Sequence, residues 1–482
     1  MKNMALSDQT PPKPDFVLLP FLTTSHMMPM IHLGCQLAAH GGTVTIITTP
    51  ANAAVFQSLI DDSIASNHQI SVATLEFPSE EAGLPPGIEN YSAVKSPEMV
   101  LKVSHALSLL KNPMEDLITK LSPRCIVSGM FFPWTVDTAQ HLKIPRLVFY
   151  PSNFFCHCVP ESLKAYGPHE RVESDSELFL IPGLPDKIEM KRSQLPDHDK
   201  FKTRYGEVLE RIKEAETRSY GIIFDTFYDL EAPYSNHFKK IKNMKIWTVG
   251  PISHYPNSNP KRTTSTSAHY SLNWLDTQKA NSVVYICFGS MTMFPEPQLI
   301  EIALALENMK FPFIWVIKNR VEDDWMPDGF KKMVVESERG LVIKEWAPQV
   351  DILNHPAIGG YMTHCGWNSV IESVMAGVPM ITWPLFAEQF YNEKLITQVL
   401  GIGVAVGNEV WNSEFFNIKS PVLKKERIEV AVQCVLMNGE EMRKKAKEIG
   451  KMCARAVEDG GSSLKDLIAL IEEVKAFGSE NV

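Results

Sequence analysis

No run of apolar residues in this chain approaches the roughly 18 needed to cross a bilayer, and the longest, VPMITWPLFA, is broken by Pro379 and Pro384. The first fourteen residues, MKNMALSDQTPPKP, lack the apolar core of a secretory leader. The expectation is a cytoplasmic protein with no membrane span. Neither sign of charge dominates: 47 Lys and Arg stand against 56 Asp and Glu, a net −9. That balance disfavours nucleic acid or an anionic membrane surface as the main partner. Cysteine is sparse, eight in 482 residues, and scattered, which reads as reduced thiols. Cys156, His157 and Cys158 form a C-H-C triplet, but no second pair at zinc spacing follows, so no metal is expected. There is no short internal repeat. With 44% apolar and 21% charged residues, collagen, coiled coil and wholesale disorder are excluded.

What is present is a strand–helix alternation that occurs twice. FVLLPF (Phe16–Phe21) is a buried-strand run, followed by a loop and a helical pattern from Pro29 to Ala39 that stops at Gly41 and Gly42. TVTIITT (Thr43–Thr49) is a second strand, and NAAVFQSLIDDSI a helix capped by Asn52. Strands recur at CIVSGMFF, PRLVFYPSN and GIIFDTF. Ser253–Ser271 is polar and almost free of aliphatic residues, the texture of a mobile connection. Beyond it SVVYICFGS, FPFIWVI, GLVIKEW, IGGYMTH and VPMITW predict a second set of strands, with helices PEPQLIEIALALENM and WNSVIESVMAG between them. The fold class is α/β: two doubly wound, Rossmann-like domains with an interdomain cleft, where ligands bind outside the carboxyl ends of the strands.

The most informative stretch is Trp346–Gln389, WAPQVDILNHPAIGGYMTHCGWNSVIESVMAGVPMITWPLFAEQ. Within it THCGWNS takes a strand end directly into a helix start. Free N–H groups and the positive dipole end there suit a phosphate. Gly366 lets the backbone approach closely, and Ser369 and His364 add donors. Glu372, one turn on, would repel a diphosphate but suits the paired hydroxyls of a ribose. The plain alternative is an ordinary capped helix.

This stretch resembles the 44-residue signature box of plant UDP-sugar-dependent glycosyltransferases, from its opening W-A-P-Q to its closing E-Q. FFPW, WTVGP, WLD, VVYICFGS and GGSS are familial too, and FFPW, IPRLVFY and VTIITTP look most like the subgroup acting on flavonoids, triterpenoids and steroids. The resemblance implies a GT-B fold and an inverting sugar transferase that works as a monomer. Residues 1–252 would bind the acceptor, 253–275 would link, and 276–459 would bind the UDP-sugar. Residues 460–482 would form a helix packing back on the first domain. Trp346 would stack on the uracil and Gln349 lie beside the nucleoside. Glu372 would hold the ribose, and Ser290, His364, Asn368 and Ser369 would surround the diphosphate. Trp367, Glu388 and Gln389 would meet the sugar hydroxyls. Gln at the closing position goes with glucose in the family, so UDP-glucose is the expected co-substrate, with no cofactor and no metal. Many members carry Asp where Glu388 stands.

On the acceptor side, His26 lies in the loop after the first strand, and its H-x-x-P spacing resembles the family's catalytic segment. It would take the proton from the acceptor hydroxyl. Met27, Met28, Phe131, Phe132, Phe154 and Phe155 could line a hydrophobic acceptor pocket or simply pack in the core. The family's Asp that orients the histidine precedes a segment like MFFPW. Here Ser128-Gly129-Met130 precedes it, so the Asp slot falls on Gly129. Asp137 should lie too far down the next helix to replace it, whereas a water or Ser128 could. A histidine base near pKa 6.5 faces a mismatch of about 3.5 units with a phenol and about 9 with an aliphatic alcohol. Loss of the Asp should therefore handicap alcohols more than phenols. The alternative is a non-catalytic or very slow UDP-sugar-binding homologue. Two further motifs carry less. Asp197-His198-Asp199 spells D-x-D away from any strand end, and Gly401–Gly407 lacks the glycine spacing of a nicotinamide site.

Overall fold

The computed structural model describes residues 15–94, 96–255, 266–318, 324–336, 339–414 and 418–477. The first sheet contains β1 (Phe16–Leu19), β2 (Val44–Thr48), β3 (Ile70–Thr74), β4 (Cys125–Gly129) and β5 (Arg146–Tyr150). A small antiparallel hairpin, β6 (Leu178–Ile181) and β7 (Ile188–Lys191), interrupts it before β8 (Gly221–Phe224) and β9 (Lys245–Thr248) complete it. Its order is β3-β2-β1-β4-β5-β8-β9, parallel throughout. The second sheet contains β10 (Val283–Cys287), β11 (Phe313–Val316), β12 (Gly340–Ile343), β13 (Ile358–Thr363), β14 (Met380–Thr382) and β15 (Gly403–Ala405), in the parallel order β12-β11-β10-β13-β14-β15. Every residue of β1, β2, β4, β5, β8, β10, β11 and β13 is buried. That is why these runs carry no polar alternation: helices cover both faces of a parallel sheet. Among the described residues no helix is long and apolar enough to cross a membrane.

Three boundaries differ from the sequence expectation. The first helix runs Thr24–Ala39, so it starts before Pro29 and takes His26 into its first turn. The second begins at Pro50 with Thr49 as its cap residue, because Pro is well suited to the first helical position. Asn52 lies inside it and donates its amide to Thr49 Oγ1 at 2.8 Å and to the Glu89 carbonyl at 2.9 Å. The connection between domains is shorter than its polar texture implied. Thr266–Asp276 is helical, with Ser271 and Leu275 fully buried, since Leu272, Trp274 and Leu275 pack on the core. The remainder of that segment, residues 256–265, lies outside the described residues.

The helix Ser462–Phe477 returns to the first domain and lies against β9. Leu464, Leu467, Leu470, Ile471 and Val474 enter the same apolar cluster as Phe16, Leu18 and Ile46. Ser463 Oγ donates to the Gly250 carbonyl, Asp466 accepts the Thr248 N–H at 2.8 Å, and Lys475 reaches the Gly41 carbonyl at 2.6 Å. Lys245 and Tyr220 both bind Glu473.

Candidate functional site

His26 is the third residue of its helix. The Thr24 N–H, an orphan donor at the helix start, is taken by Ser92 Oγ at 3.1 Å. The half-buried imidazole meets Phe21 and Phe131 edge-on, at ring separations of 5.8 and 5.7 Å. Its Nδ1 is buried with no hydrogen-bond partner among the described residues. Burial in this aromatic surround pushes the ring's pKa down to about 4, so it is neutral at pH 7.

Gly129 ends β4. A Cβ there would lie 3.4 Å from Phe21 Cβ and 3.4 Å from Phe21 N, an ordinary contact. Ser128 does not stand in for a carboxylate at His26. Its hydroxyl is buried and bonded to Thr135 Oγ1 at 2.9 Å and to the Arg146 guanidinium at 3.0 Å. Asp137 sits in the first turn of Thr135–Leu142, not far down it, and pairs with Arg218 at 2.5 Å on an exposed surface.

In the second domain the strand end β13 feeds the helix Trp367–Ala376, with Gly366 as cap residue. His364 is wedged between two glycines. A Cβ on Gly289 would come within 2.7 Å of its Nε2, and one on Gly366 within 2.6 Å. Gly289, at φ +78°, also supplies the left-handed turn that leaves Ser290 exposed just beyond β10. His364 Nδ1 is buried without a partner among the described residues, and burial lowers this pKa too to about 4. Trp346 is 57% exposed and presents an open aromatic face. Gln349 ties the group together. Its amide nitrogen donates to Glu372 at 2.7 Å and to Ser369 Oγ at 3.1 Å, while its oxygen accepts from Tyr285 and Tyr361, each at 3.2 Å. Burial raises the Glu372 pKa to about 7.

Several expected ligands have other partners. The indole of Trp367 is buried and donates its N–H to the Asp225 carbonyl at 2.7 Å, so that donor is engaged within the protein. Asn368 donates its amide to the Ser25 carbonyl at 3.0 Å. The Gln389 oxygen accepts the N–H groups of Leu385 at 2.9 Å and Phe386 at 3.1 Å, which leaves only its amide nitrogen to donate. Glu388, next to Ala387 at φ +51°, is partly exposed, and burial of its carboxyl raises its pKa.

Of the six apolar candidates Phe131 packs edge-on against His26, and Met28 is half-buried. Met27, Phe132, Phe154 and Phe155 are at most 2% exposed and belong to core clusters, because helix and turn geometry aims them at the sheet. The C-H-C triplet is pulled apart by its partners: Cys156 bonds Asn392, His157 bonds Ser152, and Cys158 bonds the Tyr234 carbonyl. In the D-x-D segment Asp199 accepts the Tyr391 hydroxyl and Asp197 pairs with Lys200. Sequence reasoning missed Phe21 and Tyr91, whose stacked rings 5.2 Å apart wall the His26 site, and Asp225, whose carbonyl holds Trp367. Asp225 immediately follows β8, a carboxyl-end placement that could have flagged it.

Comparison with known proteins accords with this arrangement. The family model for "UDP-glucoronosyl and UDP-glucosyl transferase" matches residues 257–427. The chain is 44% identical to "UDP-glucosyl transferase 73CC6" of Saponaria officinalis over 480 residues, covering 96% of this chain and 97% of that protein. It is 44% identical, with the same coverage, to "Solanidine UDP-glucose glucosyltransferase 1" of Solanum tuberosum. Its fold is similar to that of UGT73P12 of Glycyrrhiza uralensis in complex with glycyrrhetinic acid 3-O-monoglucuronide, with TM-score 0.92 and 40% identity over 97% of this chain and 96% of that one. With two facing parallel-sheet domains and near full-length identity to these enzymes, the chain belongs to the UDP-glucosyl transferase family and is a UDP-dependent glycosyltransferase of GT-B fold.

Proposed function

We propose that this enzyme transfers glucose from UDP-glucose to a hydroxyl of a hydrophobic plant metabolite, a triterpenoid, steroid or flavonoid, with inversion at the anomeric carbon. The observation that carries the reading is the juxtaposition of His26 with the donor helix. The first turn bearing this neutral imidazole is bonded through Ser25 to Asn368, beside the helix start suited to a diphosphate. His26 takes the acceptor proton as the hydroxyl oxygen attacks the anomeric carbon. The bond from that carbon to the diphosphate breaks, and UDP leaves with the electron pair. The N–H groups at the start of Trp367–Ala376 and the His364 ring stabilise the charge growing on the diphosphate. Trp346 offers a stacking face to the base, and Glu372 accepts from the ribose hydroxyls. Gln389 Nε2 and the Glu388 carboxylate meet the hexose. The similarity to a solanidine UDP-glucose glucosyltransferase and to an enzyme complexed with glycyrrhetinic acid 3-O-monoglucuronide supports the donor and the steroid-like acceptor class.

One observation favours a second reading, a slow or non-catalytic UDP-sugar binder: no carboxylate bonds His26 Nδ1 among the described residues. A base acting through Nε2 must carry its proton on Nδ1. An unsatisfied buried N–H there costs about 1–3 kcal/mol, which disfavours the competent tautomer. Incubation with UDP-glucose and a mixed acceptor panel, followed by mass spectrometry for one added hexosyl unit, separates the two. Turnover that falls at least about 100-fold in His26→Ala supports transfer by this base. UDP binding without turnover on any acceptor class, unchanged by His26→Ala, supports the binder.

A further inference from the structure

Pro29 is the sixth residue of the helix Thr24–Ala39. In a regular helix the N–H of residue 29 bonds the carbonyl of residue 25, and proline has no N–H to give. Ser25 therefore lacks its helical donor, and the Asn368 amide, from the far domain, donates to its oxygen at 3.0 Å. The next residue back does the same for another carbonyl: the Trp367 indole donates to Asp225 in the first domain. Adjacent side chains in the first turn of the donor helix thus both hold backbone of the opposite domain.

We propose that Asn368 is a positioning residue for His26, acting through the Ser25 carbonyl that Pro29 leaves open, and that this link sets the register between the donor helix and the base. The inference rests on the proposed function for its catalytic consequence, but its structural half does not. Ser25 immediately precedes His26, so a shift of its carbonyl turns the imidazole. The Ser92 hydroxyl that accepts from the Thr24 N–H in the same turn comes from the first domain and carries no information about the donor. The histidine-to-proline spacing gains a physical purpose: the proline exports one helix acceptor across the cleft.

The test compares wild type, Asn368→Ala and the isosteric Asn368→Asp, which cannot donate. Three readouts are taken: UDP affinity by calorimetry, hydrogen exchange at Met27, Met28 and Met30, and kcat against KM. The expected result is exchange faster by about threefold or more in the peptide containing those methionines, with the β2 peptide unchanged and, in Asn368→Ala, UDP affinity within about twofold. In turnover, kcat should drop about five- to tenfold with little change in KM for UDP-glucose, and Asn368→Gln should restore part of it. Unchanged exchange in both variants overturns the proposal. So does a loss of UDP affinity of tenfold or more in Asn368→Ala, which would make Asn368 a diphosphate ligand instead. A further control is Pro29→Ala in the Asn368→Ala background. It supplies the missing N–H within the helix, and full recovery of kcat would reduce the bond to local satisfaction of a carbonyl. An absence of wild-type turnover would sink the proposed function while leaving the exchange experiment able to decide the link.

Discussion

At the scale of single residues the decisive feature is Gly129. Phe21 lies against both Gly129 and the imidazole of His26, which is bounded by rings and has no acceptor at Nδ1 among the described residues. Gly129→Asp introduces a carboxylate where the backbone is unstrained and Cβ contacts are ordinary. The carboxylate should hold the proton on Nδ1 and raise the His26 pKa from about 4. Turnover on an aliphatic alcohol should then rise about tenfold or more, and by more than on a phenol, since the weaker acid needs the stronger base. An equal or larger gain on the phenol would count against this account. The acid limb of kcat at saturating UDP-glucose should lie near pH 4 in wild type, because activity is lost as the base protonates, and move upward in the variant. Glu372 titrates in the opposite sense. Its folded pKa of about 7 lies above the ordinary 4.5, so the free protein loses stability as pH rises between those values. Ribose hydroxyls favour the carboxylate. UDP-glucose affinity should therefore strengthen as pH rises from 6 to 8, by up to about tenfold. Calorimetric titration of Glu372→Gln should show weaker binding with that slope removed, and a retained slope would place the titration elsewhere.

At the scale of elements, the helix Ser462–Phe477 stands out, because it belongs by sequence to the second half and by packing to the first. Leu467 and Leu470 are fully buried in the cluster beneath the first sheet. Leu470→Ala should cost about 2–5 kcal/mol in denaturant unfolding, the usual loss for a buried leucine that leaves a cavity. The exposed Ile468 on the same helix, at 40%, is its control, and Ile468→Ala should cost less than about 1 kcal/mol. Similar costs at both sites would mean that the helix is not docked in solution as described.

At the scale of the molecule, the two sheets are not independent. A single apolar cluster contains Phe154, Phe224 and Tyr234 from the first domain and Tyr285, Tyr361 and Phe390 from the second. Across the same seam Asn153 donates to Asn392 at 2.7 Å. Separate unfolding of either half would expose that shared core. Calorimetry should accordingly show one cooperative transition rather than two. UDP at a hundred times its Kd should stabilise the whole by about 2.7 kcal/mol. Two resolved transitions, with UDP moving only one, would contradict a shared core.

The main strand–helix alternation, the burial of the strand runs and the glycine at position 366 follow from local chemistry, and the sequence alone determined them, whereas β3, β6, β7, β9 and the closeness of Gly289 to His364 came from the structure. Apolar runs without alternation, proline at helix starts and glycine at turns act over a few residues. So do the residues of the box from Trp346 to Gln389. The sequence likewise isolated the departure at Gly129. Only the tertiary structure decided how each polar side chain is spent. Asn368, Trp367 and the Gln389 oxygen look like ligands in one dimension and find protein acceptors or donors in three. Met27, Phe132, Phe154 and Phe155 face inward, and Ser128 is committed to Arg146. A hydrogen bond or a packing contact belongs to whichever groups are brought within a few ångströms, and here those groups lie up to 434 residues apart along the chain.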